Sequence, residues 1–211
     1  MRRLAWVRRG GRGALLRGSD LALVYALVVA AVAVALHAAP DHLQVRFVQE
    51  TSSNLVNLRR FPLRVLLLSA LVVPDLAGLW ILVPLVVALT AATRWLGRGP
   101  TLVALVFGHV GATLFVASLL LAGVTDGRLD PSVARAPDVG VSYALAGVCG
   151  MLAARVPRRW RWAYVLVPTL GLGAVLAAAP DFTAVGHLTA LAIGLGLGAV
   201  AHRAATPAAG P

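Results

Sequence analysis

Apolar residues in this chain come in long runs, separated by short polar segments that hold most of the arginines. Leu21–Ala39 is nineteen residues with His37 as its only strongly polar member. About twenty such residues cross a ~30 Å hydrocarbon core, so this run is expected to span a bilayer. Arginines before an apolar run also mark signal peptides, but here the basic region is long, the run exceeds the usual h-region and no good A-x-A site follows. An uncleaved first span is the expectation. A polar stretch, Pro40–Pro62, comes next, and then Leu63–Val73, which is too short to cross. Pro74-Asp75 interrupts the chain before a second span at Leu76–Thr93. Thr101–Ala122, Val139–Ala154, Trp162–Ala179 and Phe182–Ala201 supply four more.

The expected fold class is therefore an all-α membrane protein, a six-transmembrane-helix bundle with a long outer first loop. Residues 1–19 form a basic cytoplasmic tail, 20–203 the membrane domain and 204–211 a short C-terminal tail. No interval leaves room for a second, soluble domain.

Composition agrees with the pattern. The 211 residues are 59% hydrophobic and 13% charged with a mean hydropathy of +0.84, against roughly 25% charged and about 45–50% apolar in soluble domains. All nineteen basic residues are Arg, which reflects a biased genome more readily than chemistry. A net charge of +11 raises nucleic acid as a partner. That needs a basic face on a folded polar surface, and short inter-span segments do not make one, so no nucleic-acid partner is expected. Cys149 is the single cysteine and lies in an apolar run, which excludes a disulfide framework and a cysteine-rich metal site. No cofactor and no metal are expected.

Arginine placement sets the expected orientation, because positive residues near span ends stay cytoplasmic. With the N-terminus inside, Arg2, Arg3, Arg8, Arg9, Arg12, Arg17, Arg94, Arg98, Arg155, Arg158, Arg159, Arg161 and Arg203 lie on the cytoplasmic side, thirteen of nineteen. Arg46, Arg59, Arg60, Arg64, Arg128 and Arg135 lie opposite, diluted by Asp41, Glu50, Asp126, Asp130, Asp138 and Asp181. Both termini are then cytoplasmic, in a multi-pass protein of the inner (plasma) membrane. The arginines of the long first loop run against the rule and need their own explanation.

Polar side chains inside spans are costly and are candidates for function. Ser142 lies about five residues into the fourth span and His187 about five into the sixth, both from the outer end. At 1.5 Å per residue each sits roughly 7–8 Å below the outer surface. Ala146, Cys149 and Ala153 share the face of Ser142, and Leu191, Gly194 and Gly198 share that of His187. Mostly small faces let two membrane helices approach closely. Ordinary close packing, with the serine bonded to its own helix, is the plain alternative.

Gly140-Val141-Ser142 with Gly147 and Gly150, and Gly186-His187 with Gly194 and Gly198, resemble the rhomboid family of intramembrane serine proteases, in particular its actinobacterial rhomboid-like branch. The resemblance covers Leu63 to Arg203. It implies a catalytic dyad, with Ser142 as nucleophile and His187 as general base and later acid. It also implies membrane-anchored protein substrates. Rhomboids carry a Trp-Arg pair in the first loop, where this chain has Leu63-Arg64. The family's second span carries a His and, four residues later, an Asn that hold the oxyanion, whereas Ala77–Ile81 is apolar here. Loss of one such donor commonly costs 10²–10³ in rate. The residue after the serine is usually Gly but is Tyr143, and the aromatic that packs on the histidine four residues after the serine is replaced by Ala146. A second register aligns Tyr143-Ala144-Leu145 with that aromatic and puts Val139 at the nucleophile position. His109, within Gly108-His109-Val110-Gly111, is either an accessory oxyanion donor or a histidine bonded within the bundle. Two functions follow: an intramembrane serine protease, or a catalytically inactive rhomboid-fold pseudoprotease that binds transmembrane helices.

Overall fold

The computed structural model describes residues 18–178 and 181–204, with side chains up to 201. Most of the basic tail, Ala179, the side chain of His202 and the residues from 205 onward lie outside that description. Helices form wherever an apolar run is long. The first is α1 (Asp20–His37). The polar stretch that follows also folds, into α2 (Asp41–Thr51), α3 (Leu55–Arg60) and α4 (Pro62–Ser69). Asn54 caps α3 by accepting the Asn57 amide at 3.0 Å, and Pro62 opens α4, where a missing amide costs nothing.

Asp75 marks the expected break. Its carboxylate accepts the Gly78 amide at 2.7 Å and starts a 3-10 turn, Ala77–Ile81, that leads into α5 (Leu82–Leu96). Gly97 closes α5 at a φ of +92°, a left-handed value that glycine adopts freely, and the chain reverses into α6 (Arg98–Thr125). An ion pair of Arg98 with Asp20 ties the start of α6 to the start of α1. After a 3-10 turn at Pro131–Arg135 come α7 (Val141–Leu152), α8 (Arg158–Ala178) and α9 (Phe182–Ala204).

Among the described residues, five helical segments are long and apolar enough to cross a membrane: Asp20–His37, Ala77–Leu96, Arg98–Thr125, Arg158–Ala178 and Phe182–Ala201. The protein is a multi-pass membrane protein on that basis. The expected fourth span differs. It begins two residues later than the apolar run, and its twelve helical residues extend only ~18 Å. A short 3-10 turn, Ala153–Arg155, continues it. A helix of that length need not face lipid along its whole course, because α5, α6 and α9 pack around it. Most of its residues are buried, among them Val141, Tyr143, Ala144, Gly147, Val148 and Met151.

The core forms where these helices meet. Ala22 and Val29 of α1 join Leu85, Leu89 and Ala92 of α5, Ala104 of α6, and Val148 and Met151 of α7 in one buried cluster. The crossings of α7 are backbone to backbone. A Cβ on Gly147 would lie 2.7 Å from the Cα of Gly108 in α6, and one on Gly198 would lie 2.9 Å from the Met151 carbonyl oxygen. Gly194 likewise abuts the Gly147 carbonyl. Helix α8 stands apart, with no buried residue; the Tyr164 hydroxyl reaches the Cys149 carbonyl at 2.8 Å. Trp160 and Trp162 at its start are exposed, as aromatic rings at a membrane interface commonly are.

Candidate functional site

Close approach of α7 to α9 fixes which side chains meet. The face of α7 toward α9 runs through Tyr143 and Gly150, at i and i+7, while Gly147 between them turns its Cα toward Gly108 of α6 and its carbonyl toward Gly194 of α9. Of the expected face through Ser142, Ala146 and Cys149, Ala146 does pack against the cluster of Tyr143 with Ala190 of α9, whereas Ser142 and Cys149 each lie one residue before Tyr143 and Gly150. One residue on a helix is a rotation of about 100°. The offset is decided at both ends of the crossing. A Cβ on Gly150 would lie 2.8 Å from the Leu195 amide nitrogen, which seats the C-terminal end. At the other end Tyr143, fully buried, sets its ring against the His187 imidazole, with centroids 5.1 Å apart and planes at 80°. Edge-to-face contact at that distance is favourable for two π systems. The same tyrosine ring occupies the space that a side chain on Gly186 would need.

Ser142 therefore points elsewhere. It lines a cavity of about 170 Å³ with Val72, Val73, Pro74, Gly78 and Val139, between the start of α7 and the chain leading into α5. Among the described residues no hydrogen bond joins Ser142 to His187. Both residues of the expected dyad sit at the same end of the bundle, and the imidazole is met by a phenol ring rather than by the serine hydroxyl. Val139, the nucleophile position of the second register, lines the same cavity as Ser142 and brings no reactive atom to it.

The tyrosine hydroxyl leads to a group that the sequence did not single out. It donates to the Asp138 carboxylate at 3.1 and 3.3 Å. Asp138 is only 7% exposed. It precedes α7 in a non-helical segment whose backbone is satisfied by the first loop and by α4. The Asp138 amide donates to Ser52 Oγ at 2.7 Å, the Ser53 amide to the Asp138 carbonyl at 2.9 Å, and the Gly140 amide to the Ser69 carbonyl at 2.9 Å. Ser53 Oγ lies 3.3 Å from the carboxylate itself. Buried irregular backbone persists only where protein supplies such partners. Burial raises the Asp138 carboxyl to about 6, against the opposing pull of the Tyr143 and Ser53 hydroxyls; the nearby Asp181 charge adds to the rise. Asp138 had counted only as one of several loop acids. An acid five residues before a buried tyrosine, beside a Ser52-Ser53-Asn54 triplet, was the available signal.

His109 belongs to a separate contact. It is 2% exposed, and its Nε2 lies 2.8 Å from the Leu66 carbonyl oxygen and 3.3 Å from Ser69 Oγ. A carbonyl only accepts, so Nε2 carries the proton and donates to it. The ring packs flush against Gly140, leaving no room for a side chain there. Among the described residues His109 makes no hydrogen bond to Ser142 or His187. Its partners are those of a histidine bonded within the bundle, holding α4 and the segment before α7 against α6. Among the described residues no group of three His, Cys, Asp or Glu side chains is placed to hold a metal ion.

Compared with known proteins, residues 14–206 match the sequence pattern of the family described as Rhomboid-like protein. No curated protein and no solved structure matches the chain.

Proposed function

The chain belongs to the rhomboid-like protein family, and from that premise we propose that it is a rhomboid-fold pseudoprotease, which binds transmembrane helices of other membrane proteins without cutting them. The observation that carries this reading is the contact of Tyr143 with His187. A general base must lie within hydrogen-bond reach of the proton it removes. The histidine's neighbour is an aromatic ring anchored on Asp138, and the serine lies a third of a turn away beside an apolar cavity. Tyr143 is then the aromatic of the family pattern, and the nucleophile position falls on Val139. Ala77–Ile81, where the family's oxyanion donors would stand, is apolar and folded as a 3-10 turn. Nucleophile, base contact and oxyanion donors are thus all missing from the places where the chemistry needs them.

Helix binding fits the remaining features. Helix α8 buries none of its residues and carries Gly171 and Gly173, at neither of which a Cβ would meet any atom within 4 Å. Small, unfilled positions on a loosely held span suit a second helix. The proposed orientation keeps the N-terminus cytoplasmic and turns the Asp138 network outward in the plasma membrane.

The protease reading keeps Ser142 as nucleophile and His187 as base, with His109 as accessory. It requires α7 to rotate by about 100° about its axis. A fluorophosphonate probe separates the two. The expected result with purified protein in detergent is no labelling at Ser142 and capture of single-span membrane peptides. Labelling of wild type that Ser142→Ala and His187→Ala both abolish would restore the dyad.

A further inference from the structure

We propose that the groove between α3 and α6 holds one anionic phospholipid, with its acyl chain along α6 and its phosphate at Arg59. A cavity of about 670 Å³ lies there, lined by Leu55 and Arg59 of α3 and by Leu114, Ser118, Leu121 and Val124 of α6. Ser118 offers no polar recognition, because its hydroxyl donates to its own helix at the Leu114 carbonyl, 2.8 Å away. The lining is aliphatic apart from that spent hydroxyl and one cation. The residues of α6 form a single stripe at i, i+4, i+7 and i+10, ending one residue before the helix does. Ten steps of 1.5 Å make the stripe ~15 Å long, which is half of a ~30 Å hydrocarbon core. The groove therefore has the depth of one leaflet, and it opens beside a membrane span where lipid is the surrounding solvent.

Charge selects the lipid class. In the first loop, Arg46 and Arg64 both face Glu50, at 2.7 and 3.8 Å. Arg59 is exposed and, among the described residues, has no carboxylate or hydrogen-bond partner. A guanidinium matches a phosphate with two parallel hydrogen bonds. An occupant with an apolar tail of leaflet length and a phosphate not already offset by a cation of its own head group satisfies both halves of the groove. The site also gives a reason for cations in a loop that runs against the charge asymmetry of the rest of the chain.

Native mass spectrometry of the full-length protein tests this, after delipidation in mild detergent and addition of phosphatidylglycerol or phosphatidylcholine of matched chains. Wild type is expected to retain one phosphatidylglycerol with roughly fivefold or greater preference, the scale of one basic residue at an anionic surface. Arg59→Ala should remove that preference. Arg60→Ala, an equal loss of charge just outside the groove, should leave it in place. Ser118→Phe should fill the groove and lower the occupancy of both lipids. Equal retention of the two lipids by wild type would overturn the proposal without recourse to any variant. Equal losses from Arg59→Ala and Arg60→Ala, or undiminished occupancy in Ser118→Phe, would also overturn it.

Discussion

Asp138 holds a carboxyl group where little water reaches it, between two serines of the first loop and the hydroxyl of Tyr143. Its pKa of about 6 in the fold stands above the ordinary 3.8, so the folded protein binds this proton more tightly than the unfolded chain does. Stability from this group is then fullest below about pH 4 and is lost as pH rises toward 6. Thermal melts in detergent should fall across that window, by an amount on the order of 1–3 kcal/mol in stability. Asp138→Asn should flatten the dependence; an unchanged slope would mean that another group titrates. His109→Ala should cost about 1–3 kcal/mol, because it strips the Leu66 carbonyl of its donor in a buried place. An unaltered melting temperature would remove His109 from the framework of the bundle. Ser142 and His187 were readable as polar residues at one depth. Their separation was not, because depth follows from position along the chain whereas facing follows from which neighbour wins the contact. Tyr143 wins it here, with a ring that fills the space beside Gly186.

Elements were more legible than residues. Apolar run length placed α1, α5, α6, α8 and α9, because a span must satisfy its own backbone across a fixed thickness. The register of α7 was less so. Gly147 and Gly150 sit at helical spacing from either Tyr143 or Ser142, to within one residue, and only contact with α6 at Gly147 and with α9 at Gly150 chooses between faces 100° apart. The first loop was read as a polar stretch, yet it forms α2 and α3, since caps such as Asn54 and pairs such as Arg46–Glu50 support short helices without an apolar run. The crossing itself is testable. Gly194→Leu would drive a side chain into the Gly147 backbone, which cannot yield as a flexible side chain would. A loss of ~1–3 kcal/mol or more is expected, read as a lower melting temperature in detergent. Gly196→Leu, two residues on, meets nothing within 4 Å and should leave stability unchanged. Equal behaviour of the two variants would show that α7 and α9 do not meet at Gly194.

For the whole molecule, a chain of the rhomboid-like family holds the residues of the expected dyad and its accessory in three separate surroundings. Ser142 lines one cavity, His187 faces a tyrosine, and His109 bonds to α4. What persists is a bundle of α6, α7 and α9 drawn together through glycines, with α8 loosely attached at its side. The proposed function assigns such a body the recognition of another helix without reaction. The proposed orientation predicts that a cysteine introduced at Asp130 is labelled from outside intact cells and one introduced at Arg158 is not; the reverse pattern would invert the topology. The decisive measurement follows a labelled single-span membrane peptide, captured by the wild-type protein in proteoliposomes, for binding and cleavage at once, beside Ser142→Ala. Retention of the peptide by both proteins with no cleaved product is the predicted result; cleavage by wild type that Ser142→Ala abolishes is the result that contradicts it.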